Sequence, residues 1–402
     1  MQCHSKFPLP ALLMTALALA SSAAVAQQSH DVPPLDAPTS AAYTGLKQLA
    51  QATLIQKAGP HQRSVDGKLP DRDKLNASTV TVITAPVGGA WAPMGSDMAR
   101  VLDDGENLRV LPIIGRGSVQ NLVDVMILKG VDMGFMVADA MEFFKTEYQV
   151  PDINRRIAYI VVLYNNDLHI VARKEIKSVR DLAGKKIMSE RNLGYFSVRN
   201  IFDRLKISAD VDSVTDDALG LQRLLNGDAD AWIVSAGKVA PIARNIKNDE
   251  RMLHFVPVPY EKELQDLYLP SAFTSAEYPN LVDTGEKVET VASPVLLMAY
   301  NWPKASDRYN RLVKLIDALF SKIEQFHDPS RHPKWRDTSL TATAHGWQRF
   351  PAAEEWLRQH SNTAQVTSTQ ATLPQAGASQ RAAEQERLFQ KFLEWSKSQG
   401  KQ

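Results

Sequence analysis

The apolar residues of this chain occur in short β-branched runs and then at helical spacing, which predicts strands and helices in alternation. In TVTVITAPVGGAWAPMGSDMARVL, residues 79–102, the run VTVI is typical of a strand buried on both faces. Pro86, Gly88 and Gly89 end this strand, and apolar residues recur at helical spacing from Pro93 onward. The glycine pair therefore lies between a strand's carboxyl end and a helix N terminus, where backbone N–H groups can receive an anion.

The same alternation continues along the chain. Strands are predicted in LRVLPII, VDMGFMVADA, KKIMS, DAWIV and MLHFVPV, with helices between them and another helix from Glu261. IAYIVVLYNNDLHIVARK predicts two consecutive strands, VETVASPVLLMAYNW is apolar enough for strands, and SDRYNRLVKLIDALFSKIEQF predicts a long helix. We expect a mostly parallel sheet with covering helices.

Because the alternation repeats, the simplest architecture is an α/β fold of two lobes, the second inserted into the first, with a hinge and an interlobe cleft. The expected boundaries are residues 79–170 and 288–345 for lobe 1, 171–287 for lobe 2, 27–78 for an N-terminal extension and 346–402 for a C-terminal extension. Ser361 to Arg381 have the composition of a disordered tether. AAEQERLFQKFLEWSK predicts an amphipathic terminal helix that either docks on the core or binds a partner.

Residues 1–26 have the pattern of a secretory signal peptide. Lys6 precedes the apolar run LPALLMTALALA, and the small residues AVA predict cleavage near Ala26. The single cysteine, Cys3, lies in this segment, so the mature chain is expected to have no thiol. No later segment approaches the roughly 20 consecutive apolar residues of a membrane helix. We therefore expect a periplasmic protein.

Charge and motifs exclude several functions. The chain has 46 basic and 45 acidic residues without a basic stripe, so no nucleic-acid partner is expected. It has no HExxH or GxSxG motif, and its nine histidines are scattered. SAGK, Ser235 to Lys238, fits the serine-x-x-lysine pattern of acyl-transfer enzymes, but SDN and KTG are absent. We expect that the protein is not an enzyme and that it binds no cofactor or metal.

Five segments resemble a known family in order and spacing: VGGAWAPMG, GRGSVQNLVDVMILKGVDMGFMVADA, LHIVARKEIKSVRDLAGKKI, LLNGDADAWIVSAG and SAEYPNLVDTGEKVETVASPVLLMAY. The chain resembles the TAXI family of solute-binding receptors of TRAP transporters, which have the type II periplasmic binding protein fold. This resemblance implies a receptor that captures a small organic anion or amino acid, such as a glutamate-like carboxylate, by hinge closure. Its partners would be that anionic or zwitterionic ligand and the membrane permease subunits of the transporter.

The resemblance also implies the ligand-binding residues. Those in lobe 1 are Gly88, Gly89, Trp91, Ser118, Asn121 and Asp139, and those in lobe 2 are Ser189, Tyr195, Ser197 and Ser235. Each has a structural alternative. Trp91 would either form a wall of the cleft or pack over the hinge. Helix capping alone would explain four of the residues: Ser118, Ser197, Ser235 and Asp139. Asn121 would otherwise lie at the surface, and Tyr195 would be either a lid residue or part of ordinary packing.

The chain departs from the family pattern at two places. SERNLGYFSV stands where the family commonly has a glycine-rich turn, so the Arg191 guanidinium would replace backbone donors to a carboxylate, with Glu190 beside it. Val137 and Ala138 stand where a glutamine is common, which weakens the expectation of glutamate as the ligand. The long tether and terminal helix favour a second function, a two-lobe sensor or scaffold without a transporter.

Overall fold

The structure, a computed structural model, describes residues 71–367 except residues 106, 193 and 249. The expected signal peptide, most of the N-terminal extension and the chain from residue 368 onward lie outside the described residues. All described residues belong to one compact unit. Across the described residues, no helix combines the length and apolarity needed to cross a membrane.

The described strands form one mixed sheet. They are β1 Thr79–Ile83, β2 Arg109–Ile113, β3 Met133–Val137, β4 Ile157–Arg173, β5 Lys186–Glu190, β6 Asp210–Val214, β7 Ala231–Ala236, β8 Leu253–Phe255, β9 Leu269–Thr274 and β10 Lys287–Tyr300. The order is β2-β1-β3-β10-β4-β7-β5-β6, with β8 on β4 and β9 on β10. This sheet with its flanking helices confirms the predicted α/β class.

Strand directions correct the prediction of a mostly parallel sheet. The sets β1–β3 and β5–β7 are each parallel, but β4 and β10 run antiparallel to their neighbours. The prediction of two strands in residues 157–173 is wrong, because β4 is one strand of 17 residues. Its polar centre, Asn165 to Asp167, resembles a turn in sequence but stays extended because it pairs with β10, and Asp167 also with β7.

Helices cover the sheet. They are α1 Arg72–Ser78, α2 Trp91–Leu102, α3 Ser118–Ile127, α4 Ala140–Glu147, α5 Ile153–Arg156, α6 Tyr195–Leu205, α7 Asp217–Asn226, α8 Pro241–Arg244, α9 Asp307–Ser321 and α10 Pro351–Thr367, with 3₁₀ turns at Val179–Leu182, Lys262–Leu264, Ile323–His327 and Pro333–Asp337. The helix expected from Glu261 is only a 3₁₀ turn, since the chain enters β9, where Pro270 disfavours a helix.

Buried side chains form three apolar cores that define two lobes. The first core joins β1–β3, the first half of β4, the second half of β10 and α9. The other two lie around β5 and β7, on the far half of β4. We call the part around the first core lobe 1 and the part around the other two lobe 2. Strands β4 and β10 contribute to both lobes and are the connection between them.

The segment after residue 345 belongs to the first core. Trp347, Phe350 and Ala353 are buried there, and the Phe350 N–H donates to the Tyr159 carbonyl at 2.7 Å. Helix α10 continues to Thr367, across the first residues of the stretch expected to be a tether. These contacts place the start of the expected C-terminal extension in lobe 1.

Candidate functional site

Four helices begin after the carboxyl ends of parallel strands, and the N termini of these helices have no side-chain cap. Helices α2, α3, α4 and α6 follow β1, β2, β3 and β5, and none has a side-chain hydrogen bond at its N-cap residue. In contrast, Asp71, Asp216 and Ser306 cap α1, α7 and α9 with their side chains. First-turn N–H groups that lack a cap carry partial positive charge and can receive an anion.

The segment between β1 and α2 is exposed at its two glycines, and the tryptophan that follows them is buried. Gly88, with φ of 120°, and Gly89 are exposed, and a Cβ at either would meet no atom within 4 Å. Trp91 is 3% exposed, stacks on Phe135 with ring centroids 5.9 Å apart, and donates its indole N–H to Tyr164 Oη at 2.8 Å. Trp91 thus packs in the first core.

Ser118 and Asn121 are buried between β1 and β3. Ser118 is the first residue of α3, whose N-cap is Gly117, and its Oγ accepts the Val137 N–H at 3.0 Å. Asn121 Nδ2 donates to the Thr84 carbonyl at 2.7 Å and to the Phe135 carbonyl at 2.9 Å. Two carbonyl acceptors fix the amide orientation and leave Oδ1 buried without a partner among the described residues.

Asp139 joins the two lobes. It is fully buried at the N-cap of α4, where its side chain makes no cap hydrogen bond. Its Oδ2 accepts the Tyr268 hydroxyl at 2.9 Å, its carbonyl accepts Asn200 Nδ2 at 2.9 Å, and its N–H donates to Ser293 Oγ at 3.2 Å. Tyr268 and Asn200 belong to lobe 2 and Ser293 to β10. Asp139 therefore faces neither solvent nor its own helix, but lobe 2.

Burial raises the pKa of the Asp139 carboxyl to about 6, although the hydroxyls of Ser197, Tyr268 and Ser293 lower it. Among the described residues, the buried aspartates Asp97, Asp132 and Asp167 have ion pairs, whereas Asp139 has none, and its Oδ1 has no hydrogen-bond partner. A buried carboxylate without a cation is unfavourable. The hydroxyls around this carboxyl are neutral, so a positive charge would stabilise it.

Helix α6 brings lobe 2 against this carboxyl. Ser197 lies in its first turn and is buried, and its Oγ has no hydrogen-bond partner among the described residues. The Tyr195 ring meets Phe143 of α4 edge-on, with centroids 6.2 Å apart. Phe196 is fully buried and belongs to the core of lobe 1. The lobes are thus closed on each other at α4 and α6.

The remaining predicted residues lie in lobe 2. Ser189 Oγ donates to the Ile233 carbonyl at 2.9 Å, and the Ser235 carbonyl accepts Asn166 Nδ2 at 3.2 Å. Arg191 is exposed and bonds Ser213 Oγ on β6 at 3.3 Å. The structure thus brings Asp139 and Ser197 together, with Ser118 on the neighbouring Val137.

Sequence reasoning missed the partners of Asp139. Tyr268 and Ser293 come from segments far along the chain, and no local pattern signals them. Asn200 does carry a signal: Ser197 and Asn200 are spaced i, i+3, which places two polar residues on a helix face that packs inward.

A second buried polar cluster, also unpredicted, lies at β4. His169 Nδ1 bonds the Asp167 carbonyl at 2.9 Å and Nε2 bonds Tyr278 Oη at 2.6 Å, while burial lowers the pKa of His169 to about 4. Lys238, of the serine-x-x-lysine pattern, donates to the Ala272 carbonyl at 2.9 Å and lies 3.9 Å from Asp167 Oδ1. Its ammonium is therefore held at β9 and β4.

Two grooves lie elsewhere. One of 410 Å³ is lined by Tyr159, Thr341, Trp347, Arg349 and Glu354. The other, of 530 Å³, is lined by Pro259, Tyr260, Pro270, Ser271 and Glu289. In the part of the chain that the structure describes, no three or more His, Cys, Asp or Glu side chains are grouped to hold a metal ion.

A comparison with known protein families assigns the chain to one of them. Residues 82–347 match the NMT1-like family, and the chain belongs to this family. The matched range includes β1 to β10, apart from the first strand's initial residues, and all the predicted site residues. No curated protein matches the chain.

Solved structures with some similarity include three ligand complexes. The GluR0 ligand-binding core from Nostoc punctiforme in complex with L-glutamate is 16% identical, covering 64% of this chain and 99% of that one, with a TM-score of 0.40. XAC2383 from Xanthomonas citri bound to ATP is 10% identical, with 73% and 100% coverage and a TM-score of 0.41. Holo ArgBP from T. maritima is 12% identical, with 63% and 93% coverage and a TM-score of 0.36.

Proposed function

We propose that this protein is an extracytoplasmic solute-binding receptor that captures a small organic anion or amino acid between its two lobes. The observation that carries the proposal is the group of four helices, α2, α3, α4 and α6, that begin at the carboxyl end of the sheet without side-chain caps. Their first-turn N–H groups are donors for a carboxylate. Helices α1, α7 and α9, in contrast, have side-chain caps, and the uncapped α5 and α8 are single turns of four residues.

Hinge closure is part of the proposal. Strands β4 and β10 connect the lobes, and α4 meets α6 across the interface. Rotation about the two strands would separate α4 from α6 and admit the solute, which the returning lobe would then enclose. The core of lobe 1 would lose Phe196 in the open form, so closure without ligand has an apolar driving force.

We further propose that the receptor serves a TRAP-type transporter as a member of the TAXI type. The ordered similarity of five segments between Thr79 and Tyr300 supports this assignment, and the signal-peptide pattern of residues 1–26 supports export to the periplasm. Permease subunits would then be its protein partners.

A thermal-shift screen tests the binding function. The mature chain is heated with dicarboxylates, amino acids, sugars or polyamines, because a ligand of the folded state raises the melting temperature by mass action. We expect a dicarboxylate or an amino acid to raise it. Stabilisation by sugars or polyamines alone, or by none of the four classes, contradicts the proposal.

A further inference from the structure

We propose that Asp139 is the specificity-determining residue of this site, and that it selects solutes with an ammonium group over solutes of the same shape with a hydroxyl. The inference rests on the proposed binding function and names the ligand class: an amino acid in its zwitterionic form. Its carboxylate would lie at uncapped helix N termini, and its ammonium at Asp139.

The polar atoms at the interface indicate what the ligand must supply. Asp139 Oδ1 and Ser197 Oγ are buried and have no hydrogen-bond partner among the described residues. The Ser197 hydroxyl nevertheless lowers the pKa of the Asp139 carboxyl, so it is a neutral donor beside that carboxyl. Neutral donors do not cancel a buried negative charge. A ligand that offers only acceptor oxygens would leave this charge uncompensated, whereas an ammonium supplies a positive charge and three donors.

The charge balance at Asp139 leads to the same ligand. Its carboxyl is fully buried and accepts the Tyr268 hydroxyl, while Ser293 and Asn200 bond the backbone N–H and carbonyl of Asp139. No cationic side chain of the described residues is paired with it. Burial also holds its pKa near 6, so the neutral acid and the carboxylate are close in free energy. An arriving ammonium would favour the carboxylate and supply the missing charge.

Helix termini close to Asp139 provide for the other end of a zwitterion. Asp139 is itself the N-cap residue of α4, without a side-chain cap bond. Ser118, the first residue of α3, bonds Val137 two residues earlier, and Asn200 of α6 bonds the Asp139 carbonyl. Three uncapped helices are thus tied to residues 137–139. Positive helix ends beside one carboxylate suit a ligand that has both charges.

Isothermal titration of matched ligands tests the inference. The probes are the twenty standard L-amino acids, with lactate, malate, 2-hydroxyglutarate and 2-hydroxyisocaproate as the hydroxyl counterparts of alanine, aspartate, glutamate and leucine. We expect at least one amino acid to bind, and its hydroxyl counterpart, made for the purpose if it is not among these four, to bind at least tenfold more weakly. This comparison uses the wild-type protein, so it does not depend on how a variant folds.

Two variants then test whether Asp139 is the residue that selects the ammonium group. Asp139→Asn keeps the shape of the side chain and removes its charge, and we expect it to lose at least tenfold in affinity for the amino acid. Asp217→Asn is the matched control, because Asp217 also has a buried, unpartnered Oδ1 but lies in lobe 2 at α7. It should bind like the wild type.

The outcomes separate the two proposals. Equal binding of an amino acid and its hydroxyl counterpart, or unchanged affinity in Asp139→Asn, overturns the role of Asp139 and leaves the receptor function standing. Binding of dicarboxylates without any amino acid does the same. The absence of binding by every class in the thermal-shift screen and by all these probes overturns the receptor function, and the role of Asp139 with it.

Discussion

The Tyr268 hydroxyl, in lobe 2, donates a 2.9 Å hydrogen bond to Oδ2 of Asp139, in lobe 1. Both residues are buried, at 3% and 0% exposure, so this bond is shielded from water. It is a direct side-chain link from lobe 2 to the carboxyl that we assign to ligand selection. Loss of its donor would leave a buried acceptor unsatisfied.

Tyr268→Phe is therefore expected to lower the free energy of unfolding by about 1–3 kcal/mol, the usual range for an orphaned buried acceptor. Urea denaturation at pH 7 measures the change. Tyr148→Phe is the control, since Tyr148 is exposed and should change stability by less than about 0.5 kcal/mol. If both variants unfold at the wild-type urea concentration, the hydrogen bond does not stabilise the closed protein.

The ligand-free protein should lose stability relative to Asp139→Asn as the pH rises from 4 to 7. The folded protein holds the pKa of Asp139 at about 6, above the ordinary value of 3.8, so it binds this proton more tightly than the unfolded chain does. The protonated Asp139 therefore adds about 3 kcal/mol to the free energy of unfolding. This contribution is complete below pH 4 and is lost as the pH rises past 6.

Denaturation curves of the wild type and Asp139→Asn at several pH values measure this difference. Burial also raises the pKa values of Asp167 and Asp217, but both residues are present in the two proteins and their effects cancel. A difference in unfolding free energy that is constant with pH would show that Asp139 titrates as an ordinary exposed carboxyl.

Trp91→Ala should destabilise lobe 1 by about 3–5 kcal/mol, because it removes a buried indole from the first core together with its bond to Tyr164. The melting temperature and the circular dichroism spectrum measure the loss. Trp302→Ala is the control: Trp302 is half-buried under the Arg308 guanidinium and should cost much less. Wild-type stability with weakened ligand binding would instead make Trp91 a wall of the binding site.

Gly115→Ala and Gly89→Ala should have opposite outcomes. A Cβ at Gly115 would clash with Asn121 Oδ1 and lie 2.6 Å from the Thr84 carbonyl oxygen, so the β1 and α3 backbones would have to separate. We expect a loss of more than about 2 kcal/mol in unfolding free energy, as for overpacked sites. At Gly89 a Cβ would meet open space, so stability should be unchanged.

The same Gly89 variant tests the glycine turn as a ligand contact. If the turn holds one end of the solute, Gly89→Ala should weaken the binding of the ligand found by thermal shift while the melting temperature without ligand stays at the wild-type value. Unchanged affinity would restrict the site to the elements around Asp139. Titration calorimetry with the folded variant distinguishes these results.

Much of the fold could be predicted because its inner strands carry their own signal. Strands β3 and β7 are nearly continuous apolar runs, as expected of strands covered on both faces, and β1 has valine or isoleucine at each buried position. Strand β6, DVDSV, is an edge strand with mostly polar residues, and β9, LPSAFT, pairs only with β10, so neither has a strong apolar pattern. The length of β4 depends on pairing with β10 and β7, which its sequence does not encode locally.

The sequence predicts candidate residues within each lobe, but it does not predict which residues of the two lobes meet. The positions of Asp139 and Ser118 could be predicted, because they follow a strand end or begin a helix, where α/β folds place functional residues. That Asp139 meets Tyr268 rather than solvent depends on how the lobes pack. Capping rules were misleading for the same reason: Ser118 and Asp139 suit helix caps, yet their side chains bond other elements.

The most direct test of the account is hydrogen–deuterium exchange with and without the amino acid that gives the largest thermal shift. A ligand held between the lobes should slow exchange in peptides that cover residues 137–144 of lobe 1 and residues 194–201 of lobe 2, because both segments meet at Asp139. Protection confined to residues 259–272 or 339–357, beside the two surface grooves, would place the ligand outside the interlobe site and contradict the account.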